Sequence, residues 1–545
     1  MEEKKIIGEK VQKFCSKYLV LIVAILTLLI GIFSICITAY FENATYSFTS
    51  EKTAYHIDNS IIMIALTIVA LLILWGFSKI TQKIKSKWIF LAIIILTGII
   101  QVIWVCSIKF MPYADQENVI SCAKQLLHGK FEEFSEPYSY FGIYPFQIGI
   151  IYYISLIFKI FNTENFLILQ IFNVAFSLIN LFLMTKITAQ LFKEEKVQKI
   201  LNFFFLIFSI YFIFFNVHVY GNINGLTFGL LALYFTLKYL ENKKKRYLVV
   251  TAISMAISIA LKSNYNIFLC GVVITLALDF LKDKKIRTAA GIIGILFAYF
   301  ALQFGNTFVL EKTIDAKVPK GIPMIGYIYM GMHDSETMSS GWYSSVPVDT
   351  FQENNFDTEK TSEQDKELIK NRASELLKNP KELCMFYMDK LASTWLNPTF
   401  QTIWCSYPGA QMTLHEDYAK EIERKEVVKD MLSGKAYKVE ENVLNIFQII
   451  VFLFAGIGML KIFKKGKIEH ILLPMIFLGG FVFHTFWETK AIYVLQYYYL
   501  LLPYAAFGIV QLFEKIEKLK NNYNFGCVKF HLKRGYIHKV CVLAF

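Results

Sequence analysis

Charge is scarce in this chain. Only 18% of its 545 residues are Asp, Glu, Lys or Arg, against 55% that are hydrophobic, where a soluble domain carries about 25% charged residues. Organised cysteine is also missing. The nine cysteines are scattered, with no CxxC and no Cys/His cluster at zinc spacing, so no zinc site and no dense disulfide framework is expected. Cys122, Cys384 and Cys405 fall in polar segments, where free thiols are the expected state. Strict apolar/polar alternation is lacking too, which excludes a closed β-barrel. No G-x-x-x-x-G-K-[ST], G-x-G-x-x-G or G-x-S-x-G pattern occurs, so nucleotide binding and serine-hydrolase chemistry have no support.

What remains is a series of continuous apolar runs, such as Tyr18–Tyr40, Trp88–Cys106 and Thr288–Phe304. Each is near the roughly 20 residues that a helix needs to cross a bilayer. The expectation is an all-α polytopic membrane protein with 12 or 13 spans. The first run lacks a small-residue cleavage signal and reads as a retained span.

The formal charge of +13 is unevenly spread: residues 306–441 carry a net −6 and the remainder +19. That asymmetry follows the positive-inside rule and argues against nucleic acid as a partner. Lysine-rich loops at 79–87, 243–246, 282–287, 461–467 and 514–520 are expected on the cytoplasmic side, with both termini. The loop 109–144 and the acidic block 306–442 are then external. Five regions follow: 1–87, a cytoplasmic segment and a transmembrane hairpin; 88–305, a transmembrane core carrying the loop 109–144; 306–442, an external α-rich soluble domain; 443–513, the last transmembrane helices; and 514–545, a basic cytoplasmic tail. One stretch resists. An odd number of crossings must link external Asp115 to internal Lys243, yet four apolar runs lie between them, at 145–161, 166–185, 198–216 and 223–240. One of these must be re-entrant, tilted or only half-spanning.

Asp115-Gln116-Glu117 lies just past the end of a span, ahead of apolar residues at helical spacing (Val119, Ile120, Ala123, Leu126, Leu127). That spacing predicts an amphipathic helix along the interface. Its carboxylates suit a helix N-terminus, so an N-cap Asp is one reading. A general base or a metal-ligand pair at the water–lipid boundary is the other. Lys262 and Lys490 sit between apolar runs on the acidic side, against the lysine bias. Snorkelling accounts for either alone; two cations facing an acidic loop suit an anionic, phosphate-bearing substrate. The aromatic cluster Tyr138–Phe146 is either an interfacial belt or the wall of a sugar pocket.

Four elements, in order and on one expected side, resemble the GT-C superfamily of integral-membrane glycosyltransferases. They are closest to its bacterial family-39-like branch, related to protein mannosyltransferases and dependent on polyprenyl-phosphate sugars. Asp115-Gln116-Glu117 resembles the modified D-x-D/D-x-E motif. Ala123, Leu126 and Gly129 followed by Tyr144-Pro145 resemble the loop layout A-x-x-L-x-x-G … Y-P. Gly331 and Gly341-Trp342-Tyr343 resemble an external segment of low-GC Gram-positive members, and Glu488-Thr489-Lys490 with Tyr493 the late E-x-K/R-x-x-Y element. Together they cover roughly residues 88–510. The spans near 18–40 and 60–78 and the tail 527–545 depart from the family pattern and are expected to leave the site unaffected.

The resemblance implies inverting transfer of a sugar from a polyprenyl-phosphate donor to a protein, envelope glycopolymer or lipid acceptor. Asp115 would be the base, with Glu117 as a second catalytic carboxylate. Lys262 and Lys490 would hold the donor phosphate, with Glu488 orienting Lys490. Tyr144, Trp342, Tyr343 and Tyr493 would line the substrate pocket. It leaves open a divalent cation, Mg or Mn, on Asp115 and Glu117. The alternatives are an envelope glycan polymerase or ligase, whose working loop should be rich in Arg and His, and a flippase or transporter, which should show repeated halves.

Overall fold

The computed structural model describes residues 2–41, 51–411 and 425–533. The last part of the expected basic tail, 534–545, lies outside the described residues. Among the described residues, ten helices are long and apolar enough to cross a membrane: Ile6–Cys36, Ser60–Ile80, Ser86–Ser107, Phe166–Leu191, Glu195–Phe215, Asn222–Asn242, Ser263–Asp283, Ile286–Ile314, Lys435–Lys465 and Ile468–Phe486. Two bent helix pairs, Glu132–Ile143 with Pro145–Phe161 and Ala491–Tyr499 with Leu502–Asn521, turn by 100° and 53°. The one departure from all-helix is an antiparallel pair of short strands, β1 (Ile37–Tyr40) and β2 (Ala54–Ile57), paired Ile37 to Ile57 and Tyr40 to Ala54. It closes the loop between the first two long helices.

The first of the four runs is the broken one. Tyr144-Pro145 breaks the chain, and the helix that follows, Ile148–Phe161, has only 14 residues. At 1.5 Å per residue it reaches about 21 Å, short of a hydrocarbon core of about 30 Å. It ends at Asn162, whose left-handed φ of 47° stops the helix. Three long helices, Phe166–Leu191, Glu195–Phe215 and Asn222–Asn242, then join the Asp115 end of the bundle to Lys243.

Segregation of charge between the two ends is visible in the contacts. At one end Lys79 pairs with Glu517, Lys196 with Glu514 and Lys243 with Asp279. Asp115, Lys262, Glu488 and Lys490 gather at the other. Between them the core is aromatic. Tyr498 packs against Phe208, Tyr211, Phe400, Phe447 and Phe452. Neighbouring buried tyrosines find backbone acceptors, Tyr211 on Pro398 O at 2.8 Å and Tyr499 on Asn180 O at 2.9 Å, the usual arrangement for a buried hydroxyl.

Helices of the acidic block cap the Asp115 end. Asp357 caps Thr358–Lys378 by accepting from Glu359 N and Lys360 N, and Asn379-Pro380 separates it from Pro380–Trp395. Trp395 packs on Phe477 and Phe481, so this unit is seated on the bundle. Its expected boundaries shift, because helix Ile286–Ile314 runs past residue 305 and helix Lys435–Ile462 begins before 442.

Lys390 does the docking. Its ammonium is fully buried and donates to Gly331 O at 2.5 Å and Trp487 O at 2.9 Å. Burial pushes its pKa down to about 7, with Glu488 opposing. Gly331 and Gly341 permit the approach. A Cβ on Gly331 would lie 2.5 Å from Phe486 O, and Gly341, at φ +70°, would meet the Lys390 chain at 2.6 Å. Lys390→Ala strands two buried carbonyls and is expected to cost about 3 kcal/mol, read as a lower thermal midpoint with Lys390→Arg less severe.

Candidate functional site

Asp115 is aimed by its neighbours. The chain enters helix Ala114–Leu127 through an extended Tyr113 (φ −147°) and a left-handed Ala114 (φ 50°), and no side chain caps the helix. Asp115 is therefore not the N-cap, and its carboxylate is not consumed by orphan N–H groups. Tyr113 donates to Cys405 O at 3.0 Å. Gln116, wholly buried, accepts from Val219 N–H. These contacts pin the first turn on both sides and leave Asp115 exposed to a cleft.

Tyr220 hydroxyl donates to Asp115 Oδ2 at 3.3 Å. Gln147 Nε2 donates to the Tyr220 and Tyr140 oxygens at 2.8 and 2.7 Å, which leaves the Tyr220 proton free to point at Asp115. The Tyr220 ring itself carries a cation: Lys262 Nζ stands 3.6 Å from its centroid and 5.9 Å from that of Tyr493. Asp115, Tyr220 and Lys262 thus form one connected unit. Burial lowers the Lys262 pKa to about 8 while Asp115 and Glu488 oppose.

Lys490 lines the same cleft, and its partner is not the expected one. It forms an ion pair with Glu51, a residue of the loop joining the first two long helices. Burial works against its charge, but Glu51, Glu488 and Asp115 together hold its pKa above the ordinary lysine value. Glu488 is buried, with its N–H on Tyr327 O at 2.9 Å. Burial, opposed by Lys490, raises its carboxyl to about 7. Its role as the residue orienting Lys490 passes to Glu51.

The expectation that the first two helices leave the site unaffected is overturned. Glu51 N–H donates to Thr337 O at 2.9 Å and Thr53 N–H to Ser339 Oγ at 2.9 Å, so their loop is stitched to the cap and delivers Glu51 to Lys490.

The remaining expected residues divide. Tyr493 lines the cleft. Tyr144 and Tyr343 stand at its rim with Tyr327, in one apolar cluster, and the phenol of Tyr343 is raised by burial and feels the charges of Asp115, Glu488 and Lys490. Trp342 faces away: it is buried, with Nε1 on Ser393 Oγ at 3.1 Å, and serves the cap's core. Glu117 is not brought to the cleft. Two positions along a helix from Asp115, it lies on another face.

That spacing also bears on a divalent cation. Among the described residues no three His, Cys, Asp or Glu side chains converge as a metal site, and of the two carboxylates that line the cleft Glu51 is already paired with Lys490, which with Lys262 nearby makes a poor donor set for Mg or Mn. The residues present do not fit the group.

Sequence reasoning missed Glu51, His218, Tyr220 and Gln147. Burial, then Lys262 and Lys490, lowers the His218 imidazole to about 3. It is neutral, and its buried Nδ1 has no protein partner among the described residues. The cleft encloses about 90 Å³, room for about three waters and far below the 300 Å³ of a small ligand pocket. Within it Glu51 occupies the ion-pairing position on Lys490.

No protein-family model matches this chain, and a search of curated proteins finds no match.

Proposed function

We propose that the chain is a membrane glycosyltransferase of GT-C type. It transfers a sugar from a polyprenyl-phosphate donor to a hydroxyl of a protein, envelope glycopolymer or lipid at the outer membrane face. One observation carries the reading: an exposed Asp115 carboxylate accepts from the Tyr220 hydroxyl, Lys262 stands over the same tyrosine ring, and Lys490 lines the cleft they share, at the end of the bundle away from the lysine loops. A base, two cations and access from the bilayer side are what this transfer requires.

In this mechanism Asp115 Oδ2 takes the acceptor proton as the hydroxyl attacks the anomeric carbon, opposite the departing phosphate. The sugar–phosphate bond breaks, its electrons go to the phosphate oxygen, and configuration inverts. Lys262 and Lys490 stabilise the phosphate charge as it grows. Tyr220 holds the base oriented, and the neutral His218 offers Nδ1 to a substrate hydroxyl. Polyprenyl phosphate is a good leaving group, so positioning and charge stabilisation supply most of the rate. No step uses a metal, and Glu117 has no role.

The test is transfer of radiolabelled sugar from polyprenyl-phosphate donors in proteoliposomes. Absence of transfer with every donor and acceptor class would reject the reading. A pH profile adds a second check. The cationic form of Lys262 is needed and its pKa is lowered, so kcat/KM, which reports the free enzyme, is expected to fall as pH rises through about 8. Lys262→Arg, permanently charged, should lose that limb. A limb retained in the Arg variant would assign the titration to another group.

A further inference from the structure

The larger cavity lies at the opposite end, away from the cleft. It encloses about 370 Å³ and is lined by the turn between Ser60–Ile80 and Ser86–Ser107 together with Glu195, Lys196, Lys199 and Glu517. Five lysines line it against two glutamates, and each of those acids is engaged: Glu195 accepts from Ser86 N–H at 2.7 Å and Glu517 pairs with Lys79. Lys196 is held by Glu514. Lys199 is buried and structural, donating to Thr81 O at 2.9 Å and Gln82 O at 3.0 Å, which fixes the turn as the wall of the cavity. Lys83 and Lys85 remain exposed, with no ion pair among the described residues. A formed cavity thus carries two lysines that no described acidic side chain pairs, open to a ligand from outside the chain.

A second observation names the kind of partner. The same turn presents bare apolar surface beside the lysines: Ile80 is 81% exposed, Trp88 57% and Ile84 44%. Ile84 itself lines the cavity. A soluble phosphate would use the lysines alone. A molecule with a phosphate head and hydrocarbon chains would use both, and basic pockets at the ends of membrane helices suit anionic headgroups.

We propose that this cavity binds an anionic phospholipid, its phosphate on Lys83 and Lys85 and its acyl chains along Ile80, Ile84 and Trp88. The site is independent of the sugar-transfer reading, since none of its residues touches the Asp115 cleft.

Full-length protein in neutral detergent would be titrated with dioleoylphosphatidylglycerol, dioleoylphosphatidylcholine and glycerol phosphate. Retained lipid would be read by native mass spectrometry and thermal midpoint. Phosphatidylglycerol is expected to bind and raise the midpoint, while the other two do neither. Each lysine removed should weaken binding about five-fold, so Lys83→Gln/Lys85→Gln should lose about 25-fold, and Lys83→Arg/Lys85→Arg should retain it. Both positions are exposed, so both variants should keep the unliganded midpoint. Equal binding of the two lipids, or undiminished phosphatidylglycerol binding by the Gln pair, would overturn the proposal. Glycerol phosphate binding as tightly as phosphatidylglycerol would replace the lipid with a soluble phosphate.

Discussion

Asp115→Asn is expected to lower sugar transfer by about 10²–10⁴-fold, the range for losing a general base, while leaving the fold intact. The change is isosteric, and the carboxylate makes no capping bond for the helix to lose. What it accepts is one Tyr220 hydroxyl at 3.3 Å, which an amide oxygen accepts equally well. Donor binding should also survive, because Lys262 and Lys490 are unchanged. Single-turnover transfer and direct donor binding, measured side by side, would separate the two. A variant that binds donor and transfers normally would reduce Asp115 to an electrostatic ornament of the helix start. One that loses binding and transfer together would make it a donor-site residue instead.

Lys490→Gln is expected to lose at least as much activity, with a distinct signature. Removing the cation leaves Glu51 and buried Glu488 beside Asp115, three carboxylates facing one lysine. Breaking a buried pair from one side costs about 3–5 kcal/mol; Lys490 and Glu51 are nearly but not wholly enclosed, with side chains 18% and 14% exposed, so a loss near 3 kcal/mol is the better expectation. The thermal midpoint should fall and donor phosphate should be repelled. The double variant Glu51→Gln/Lys490→Gln removes both charges and should recover most of the stability without recovering transfer. Glu51→Gln alone should leave Lys490 for the donor and tighten its binding. If the double variant regains activity along with stability, the pair is a structural strut and Lys490 does not touch substrate.

The sequence exposed what depends on local pattern. Lysine-rich loops, helix stops at Asn379-Pro380 and the amphipathic Ala114–Leu127 all follow from residues near one another. The parity conflict between Asp115 and Lys243 was visible as well, and the structure adds that the run after Pro145 is short and sharply bent against the helix before it. The site was half legible. Asp115, Lys262, Lys490 and Tyr493 stood out because charge beside apolar runs is costly. Glu51 did not, since its partner is more than four hundred positions away and nothing in a polar loop marks one glutamate. Gln147 and Tyr220 were hidden for a different reason: neither stands in a pattern of its own, and only the geometry of donated protons gives them meaning. Trp342 misled because a tryptophan near a glycine turn serves a core as readily as a pocket.

The first helix packs its length against Lys435–Ile462 and Asn266–Asp283, and its loop meets Lys490. Residues made early in this chain are therefore packed by residues made much later. Until the helix Lys435–Ile462 has been made, Gly31 has no Leu453 to lie against, and until Lys490 has been made Glu51 has no counter-charge. A nascent product ending before residue 490 accordingly carries Asp115 but not the completed cleft.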